Sequence, residues 1–445
     1  MTEYTDPVIL DKTGQRIVNA LHEIRNVITG DKGVVYGFHI DSEEGDPYEK
    51  VTYIADAVGM TPVHMDFTSG NFYWGSWKDA FFMPRPCMLK SDGTVDYYLD
   101  ENDYTRKEDG SASDVANTEY DGNAMMEWGR DGKIIWYCIV PDADPTGASI
   151  YIADHKVNDD FHAYSFINRN NQLVDHFYTP CYFGSIIDDK LRSLSGVSGA
   201  SRCKNKTTTQ ERVLAKANNP TGVDIWDMEV YADNLLIELL LILIGKSTNG
   251  QAVFGEGLHT SGSDAVNDAF VSGQHDDKGL FYGTNRGAAA TYTNAVKVFG
   301  MENFWGFMWR RELGYMNVTG TNKYKLTAGT ADGSTAEDYV VSNTAADYDG
   351  YKVGAALPTA SGTYINKMTF NDEIMTPTAA SGTASTHYCD GLWTNLNAVC
   401  LSFRGGHSNN AAHVGPLCRL LNSAASVAHW YLGAAPSLKP LSKEG

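Results

Sequence analysis

Three histidines near the C-terminus, His407, His413 and His429, are the first candidates for metal chemistry in this 445-residue chain. Their spacing matches neither a helical ligand pair nor a zinc finger, and no Asp or Glu lies among them. Ordinary surface histidines explain them better. The acidic stretches 91–103 and 142–147 lack the alternating oxygen ligands and final glutamate of a calcium loop. We therefore expect acidic turns there and no metal site.

Nucleophilic chemistry has one candidate, Cys418, whose thiol stands beside Arg419 in the sequence. A neighbouring cation lowers the pKa of a thiol, but no motif nearby supplies a base and an orienting residue. The stretch GVSGA near 196 is one residue short of a nucleophile elbow, and neither a P-loop nor a GxGxxG motif occurs. We predict no catalytic residue, no cofactor and no enzymatic activity.

The composition excludes several classes of partner. A net charge of −20 argues against binding to nucleic acid or to anionic membranes, which both select Lys and Arg patches. The most apolar run, LLIELLLILI at 235–244, is too short to span a bilayer and contains Glu238, so membrane insertion is not expected. Seven cysteines without a CxxC pair, and no visible signal peptide, favour synthesis in a cytoplasm with reduced thiols.

The first thirty residues have the clearest helical periodicity. Apolar residues at 10, 17, 21, 24 and 28 fit heptad core positions, and Gly30 is a natural stop. An amphipathic helix lying on its own domain explains this pattern, and so does a short coiled coil that joins several copies. We predict an N-terminal oligomerisation or attachment helix over 1–30.

The rest of the chain divides into two predicted domains. Short runs rich in aromatic and β-branched residues, such as KIIWYCIV and ASIYIAD, predict a β-rich domain over 31–205. A Gly/Ser-rich and polar connector near 193–210 marks its end. The second domain, 206–445, opens with a helix from about Trp226 to Ile244 that is apolar on all sides and therefore predicted to be buried. The polar stretch 319–386 is interpreted as an insertion of surface loops or hairpins.

The C-terminal stretch 404–436, RGGHSNNAAHVGPLCRLLNSAASVAHWYLGAAP, follows no helical or strand period. Its only charged residue after Arg404 is Arg419. From Gly405 to Pro436 there is no Lys, Glu, Gln or Met, and Asn remains at 409, 410 and 422. We call residues 404–436 the C-terminal segment.

This segment resembles the variable region of proteins diversified by diversity-generating retroelements, in which a reverse transcriptase rewrites the end of a gene with errors at adenines. Asn codons are the usual targets, and the residue types between the glycines are those that adenine replacement allows. NFWGFMWRRELG at 303–314 is similar to the tryptophan-rich part of the C-type-lectin-like fold shared with formylglycine-generating enzymes. The resemblance covers about 206–445. It implies an α+β protein with an N-terminal helix, a β-rich middle domain and a C-type-lectin-like domain.

The resemblance also implies which residues bind and which hold the fold. The fixed positions are Gly405, Gly406, Gly415, Ala424, Ala425, Trp430, Gly433 and Pro436, and the assigned scaffold residues are Trp305, Trp309, Gly405, Gly406 and Trp430. The diversified, ligand-binding positions are His407, Ser408, Asn409, Asn410, His413, Leu417, Cys418, Arg419, Leu421, Asn422, Ser423, Val427, His429, Tyr431 and Leu432.

These features together predict a non-catalytic receptor-binding protein of a phage or prophage particle, placed on the virion surface. Its expected partners are a host cell-surface protein or glycan and further copies of itself, as in the trimers of similar phage proteins. Two alternatives stay open: a structural virion protein without a role in adsorption, and an oxidase related to formylglycine-generating enzymes. The cysteine pair of those enzymes cannot be identified in this chain.

Overall fold

The computed structural model describes residues 33–259, 262–285, 295–328, 338–342 and 350–441. The chain is mostly β, with 35% of residues in strands and 12% in helices, so the expected α+β class is wrong. The physical reason is that Thr-, Tyr- and Val-rich runs in both halves pair into sheets, whereas the described residues form only four α-helices. The helix predicted over 1–30 lies outside the described residues.

Twenty-seven strands are described, most of them three to seven residues long. In chain order they are β1 Val35–Ile40, β2 Val51–Ala55, β3 His64–Asp66, β4 Asn71–Tyr73, β5 Arg85–Lys90, β6 Val95–Asp100, β7 Asp103–Lys107, β8 Gly122–Trp128, β9 Trp136–Pro141, β10 Ala148–Ala153, β11 Phe177–Pro180, β12 Ser185–Ile187, β13 Lys190–Arg192, β14 Trp226–Met228, β15 Lys297–Val298, β16 Met301–Glu302, β17 Trp309–Val318, β18 Thr321–Tyr324, β19 Lys352–Ala356, β20 Thr363–Tyr364, β21 Lys367–Phe370, β22 Met375–Ala379, β23 Gly391–Thr394, β24 Val399–Arg404, β25 Arg419–Leu421, β26 Leu432–Gly433 and β27 Pro436–Leu438.

Three sheets of four or more strands organise the fold. The first has the order β2-β1-β10-β9, and the second has the order β14-β27-β11-β8-β5-β6-β7. The third has the order β19-β18-β17-β24-β25-β23-β20, with β26 pairing in parallel with β17. The second sheet takes strands from both sides of the predicted boundary at 205, because Tyr178 of β11 pairs with Leu438 of β27. The two predicted domains therefore share a sheet.

Four α-helices occur in the described part of the chain: α1 Thr208–Lys216, α2 Tyr231–Gly245, α3 Gly250–Phe254 and α4 Asp264–Asp268. Helix α1 begins with a capping box, in which Thr207 and Gln210 each bond the other's backbone N–H. Every residue of α2 is buried, which confirms the predicted buried helix. Its start is later than predicted because Trp226–Met228 pairs with β27 instead.

The stretch 319–386 is more than a set of surface loops. It contributes β18, β19 and β20 to the third sheet and the β21–β22 hairpin. Apolar residues of this hairpin region, including Met368, Phe370 and Ile374, are buried in the main core. The hairpin also reaches the first sheet, where the Phe370 N–H donates to the Pro145 carbonyl oxygen over 2.7 Å. This stretch is thus part of the frame around the C-terminal segment.

Candidate functional site

Two glycines turn the chain out of the third sheet at the start of the C-terminal segment. Gly405 and Gly406 follow β24 with φ values of 84° and 78°, in the left-handed region that disfavours a Cβ. A Cβ on Gly406 would lie 2.6 Å from Cγ1 of Val414, and one on Gly405 would lie 3.2 Å from the Cα of Trp305. Trp305 and Trp309 are fully buried. These four residues have the positions expected of a scaffold.

The middle of the segment is an internal strand rather than a surface. Strand β25 lies between β24, to which it is antiparallel, and β23, to which it is parallel. The Arg419 guanidinium is 4% exposed and contacts two carboxylates, at 2.5 Å from Glu238 and 3.1 Å from Glu312. Glu312 also accepts hydrogen bonds from Asn234 and Ser402. A buried cation that neutralises two buried carboxylates is a structural requirement of the core.

The structure corrects the assignment of seven side chains to the binding face. One is His407, which is only 9% exposed and packs against the rings of Trp430 and Tyr431. Six others are buried more completely. Their side chains pack in the interior and do not reach solvent, so a ligand cannot contact them: Ser408, Leu417, Cys418, Arg419, Leu421 and Leu432. Ser408 donates a hydrogen bond of 2.6 Å to Asn267. Adenine-compatible residue types are therefore found both on the surface and in the core. Residue type alone does not separate binding positions from packing positions.

Other assigned residues of the segment do form a surface, with aromatic rings at its centre. The Tyr431 ring stacks on His407 with centroids 4.6 Å apart and lies 3.9 Å from the ring of His429. Trp430 meets Tyr431 edge-on at 5.2 Å. Trp430 is half-buried, so its ring contributes to this surface instead of the interior scaffold expected for it. His407 is the most buried of the four rings, at 9% exposure.

A second group of rings adjoins the first, and two of its members come from outside the segment. His413 stacks on Tyr364 with centroids 4.0 Å apart and lies 5.4 Å from Trp393. Trp393 and Tyr431 both pack on one buried cluster that includes Trp309. Because both groups of rings pack on this cluster, we treat them as one surface. We call it the aromatic face: Tyr364, Trp393, His407, His413, His429, Trp430 and Tyr431.

Sequence reasoning missed Tyr364 and Trp393. The sequence around Tyr364 was interpreted as loop and the sequence around Trp393 as core. Tyr364 lies on β20 and Trp393 on β23, and these strands come to lie beside the segment because β20 pairs with β23 and β23 pairs with β25. The remaining assigned positions lie around the aromatic face or further along the segment, and each is exposed or half-buried: Asn409, Asn410, Asn422, Ser423 and Val427. Asn410 also accepts a hydrogen bond of 2.8 Å from the His407 backbone N–H.

Groups outside the segment hold the backbone of its last loop, 422–431. Thr208 donates to the carbonyl oxygen of Ala425, and Arg311 donates to that of Val427 over 3.1 Å.

The end of the same loop is held by three further donors. The backbone N–H groups of Asn205 and Trp309 donate to the carbonyls of His429 and Tyr431, over 3.1 and 3.0 Å. Arg202 reaches the Trp430 carbonyl over 3.3 Å. Because main-chain atoms make these bonds, the loop keeps its shape without its own side chains.

The C-terminal segment brings no exposed charged side chain to the aromatic face. Arg419 is the only charged residue between Gly405 and Pro436, and it is buried. Burial lowers the pKa of His407 to about 4, with a smaller contribution from His429, so the His407 ring is neutral at physiological pH. Burial also lowers the pKa of His413. In a chain of net charge −20, the segment thus contributes no formally charged side chain to this surface.

Other chemistries find little support in the described residues. They contain no cluster of three or more His, Cys, Asp or Glu side chains that suits a metal ion. All seven cysteines are buried and free of disulfides. Burial raises the pKa of the Cys418 thiol well above its usual value, and the neighbouring Asp390 raises it further. A protonated, inaccessible thiol is the opposite of an activated nucleophile. No helix in the described residues combines the length and apolarity needed to cross a membrane.

No protein-family model matches the chain, and a search of curated proteins finds no significant match.

Proposed function

We propose that this chain is a non-catalytic binding protein that presents a retroelement-diversified aromatic face to a host-surface molecule, as part of a phage or prophage particle. One observation carries the proposal. The C-terminal segment places aromatic and amide side chains at the surface, while groups outside the segment hold its last loop through main-chain carbonyls. A surface that is rewritten between copies requires this separation of shape from side-chain identity.

The chemistry of the face supports recognition of a protein or glycan. Tyr, Trp and His rings provide contact area at low entropic cost, and Asn409 and Asn410 provide adaptable hydrogen bonds beside them. The exposed side chains of the segment carry no formal charge, so their own contribution to affinity depends on contact and hydrogen bonding. A single site of this kind binds weakly. Several copies, as in a trimer, raise the avidity of the particle without any new contact.

Sequencing the DNA beside the gene tests the diversification directly. We expect a reverse-transcriptase gene and a near-copy template whose mismatches with the gene fall at template adenines. Sibling genes should differ at codons for exposed positions such as 409, 413 and 431. A flank with neither element, or siblings identical throughout 404–436, would contradict the proposal.

Adsorption assays separate recognition from a purely structural role in the particle. Particles carrying the double variant Trp393→Ala and Tyr431→Ala should assemble normally and lose adsorption to host cells, because both rings lie on the aromatic face. The matched control is Trp136→Ala combined with Tyr48→Ala, which removes two partly exposed rings that are not part of the aromatic face. If the first variant adsorbs normally, or if particles without the chain fail to assemble, the structural alternative replaces our proposal.

A further inference from the structure

A large cleft lies apart from the aromatic face, in the part of the molecule formed mainly by residues 70–133. Its volume is about 850 Å³. Its walls are strand β4 with the loop that follows it, the turn between β6 and β7, the short 3-10 turn Arg130–Gly132, and the loop 277–282. A cleft of this volume is in the range that holds small-molecule and cofactor ligands. The predicted ligand-binding positions all lie elsewhere.

Aromatic rings line one wall of this cleft and are fixed in place by one another. Phe72 stacks on Phe281 with centroids 4.6 Å apart and an interplanar angle of 6°. Trp74 meets Phe281 edge-on at 5.3 Å and Phe72 edge-on at 5.0 Å. Phe281 is buried, whereas Phe72 and Trp74 keep part of their surface open. The open rings are therefore pre-organised, which reduces the entropy lost when a ligand binds.

The polar residues of the cleft balance one another in charge. Its basic lining residues are Lys78, Arg130, Lys133 and Lys278, and its acidic lining residues are Asp79, Glu101, Asp131 and Asp277. Most of the basic groups are already paired: Arg130 lies 2.8 Å from Glu101, Lys278 lies 3.0 Å from Asp277, and Lys133 lies 3.2 Å from Asp154. A charged polymer gains no net Coulomb attraction from such a lining.

We propose that this cleft binds a neutral oligosaccharide. Fixed, half-open rings match the apolar C–H faces of sugar rings, and the surrounding amides and paired charges match sugar hydroxyls, which both donate and accept hydrogen bonds. The balanced lining favours an uncharged ligand over an acidic glycan, and the net charge of −20 on the chain disfavours an acidic glycan further. The site is separate from the aromatic face, so it does not depend on diversification of the C-terminal segment.

Calorimetric titration of the full chain with neutral gluco-, manno- and galacto-hexaoses tests the proposal, with a hexamer of galacturonic acid as the charged comparator. We expect at least one neutral hexamer to bind, with a Kd that stays constant between about 0.05 and 0.5 M salt. Trp74→Ala should weaken binding about tenfold or more through loss of ring contact. Tyr48→Ala, which removes an exposed ring outside both the cleft and the aromatic face, should leave the Kd unaltered.

Two further variants guard against a change in folding. Trp74→Phe keeps a ring in the stack and should retain most of the affinity. Asn102→Trp places a large side chain at an exposed position of the cleft lining and should abolish binding while thermal unfolding stays as in the parent. The proposal is overturned if no neutral hexamer binds, if Trp74→Ala and Asn102→Trp bind like the parent, or if the acidic hexamer binds more tightly than the neutral ones.

Discussion

Strand β25 and five of the seven aromatic-face residues belong to the same C-terminal segment and draw on the same restricted set of residue types, yet their environments differ. Arg419 and Leu421 of β25 are inside the third sheet, where Arg419 neutralises Glu238 and Glu312. His429 and Tyr431 are half-open to solvent on a loop whose carbonyls are held from outside. Strand β25 is part of the core, and the aromatic face is part of the surface.

This difference limits what can be rewritten. A substitution in β25 removes a partner from buried charges or opens a cavity, and both mechanisms are among the most destabilising. A substitution at an open position of the aromatic face, such as His429, changes contact chemistry at small structural cost. Under the proposed diversification, we therefore expect changes between sibling copies to be confined to the exposed positions, while β25 stays constant. Stability measurements on single variants test this division.

Arg419→Ala is expected to have the largest effect. It leaves two buried carboxylates without their cation, which destabilises a protein by about 3–5 kcal/mol. Urea unfolding of the purified chain measures the loss. Arg106→Ala is the matched control, since Arg106 is exposed and its ion pair with Asp103 lies on the surface. The control should cost no more than about 1 kcal/mol. Equal losses in the two variants would show that β25 does not carry the core.

The sequence predicted local features well and long-range ones poorly. The buried helix α2 and strands β9 and β10 could be predicted because their apolar or β-branched runs are continuous in sequence. The burial of Arg419 was not readable, because its partner Glu238 lies 181 residues away. The α+β expectation failed for the same reason: pairing between distant short strands decides the class, and each strand alone carries a weak signal.

The candidate site shows the same limit. Gly405 and Gly406 form a turn with positive φ, and Trp305 and Trp309 are buried, so these four residues contribute to the frame of the segment. The resemblance could not separate the two halves of the segment, since adenine replacement yields Leu, Cys and Arg for a core as readily as His and Tyr for a surface. Trp393 joins the aromatic face only because β23 pairs with β25.

The pH dependence of stability should reveal the burial of His407. Its pKa is lowered from 6.5 to about 4, so between these values the unfolded chain binds more protons than the folded chain. The contribution of His407 is thus fully present above pH 6.5 and is lost as the pH falls toward 4, a change of about 3 kcal/mol. His407→Phe keeps a ring and removes the titration. The difference in unfolding free energy between parent and variant should shift by that amount over this range. A constant difference would mean that His407 is as solvated as in the unfolded chain.

Gly406→Ala tests the turn that separates the aromatic face from the sheet. The left-handed φ and the overlap with Val414 together should cost about 2–3 kcal/mol, measured by urea unfolding. Gly132→Ala is the control, because Gly132 also has a left-handed φ of 71° but a Cβ there meets no atom within 4 Å. It should cost about 1–2 kcal/mol from backbone strain alone. If the two variants are equally stable, the close approach of Val414 is not a constraint.

Substitutions in the loop 422–431 should change the free energy of unfolding least. They test whether the side chains of the aromatic face can vary without loss of the fold. His429→Ser and Ser426→Asn change the side chain and leave the main chain free to accept its hydrogen bonds from Asn205, Trp309 and Arg311. Each should alter the free energy of unfolding by no more than about 0.5 kcal/mol. Hydrogen exchange of the donating Asn205 and Trp309 amides should be as slow as in the parent, since exchange requires those bonds to open. Faster exchange with intact global stability would mean that the loop side chains themselves hold its shape. In that case the aromatic face would be no freer to change than β25.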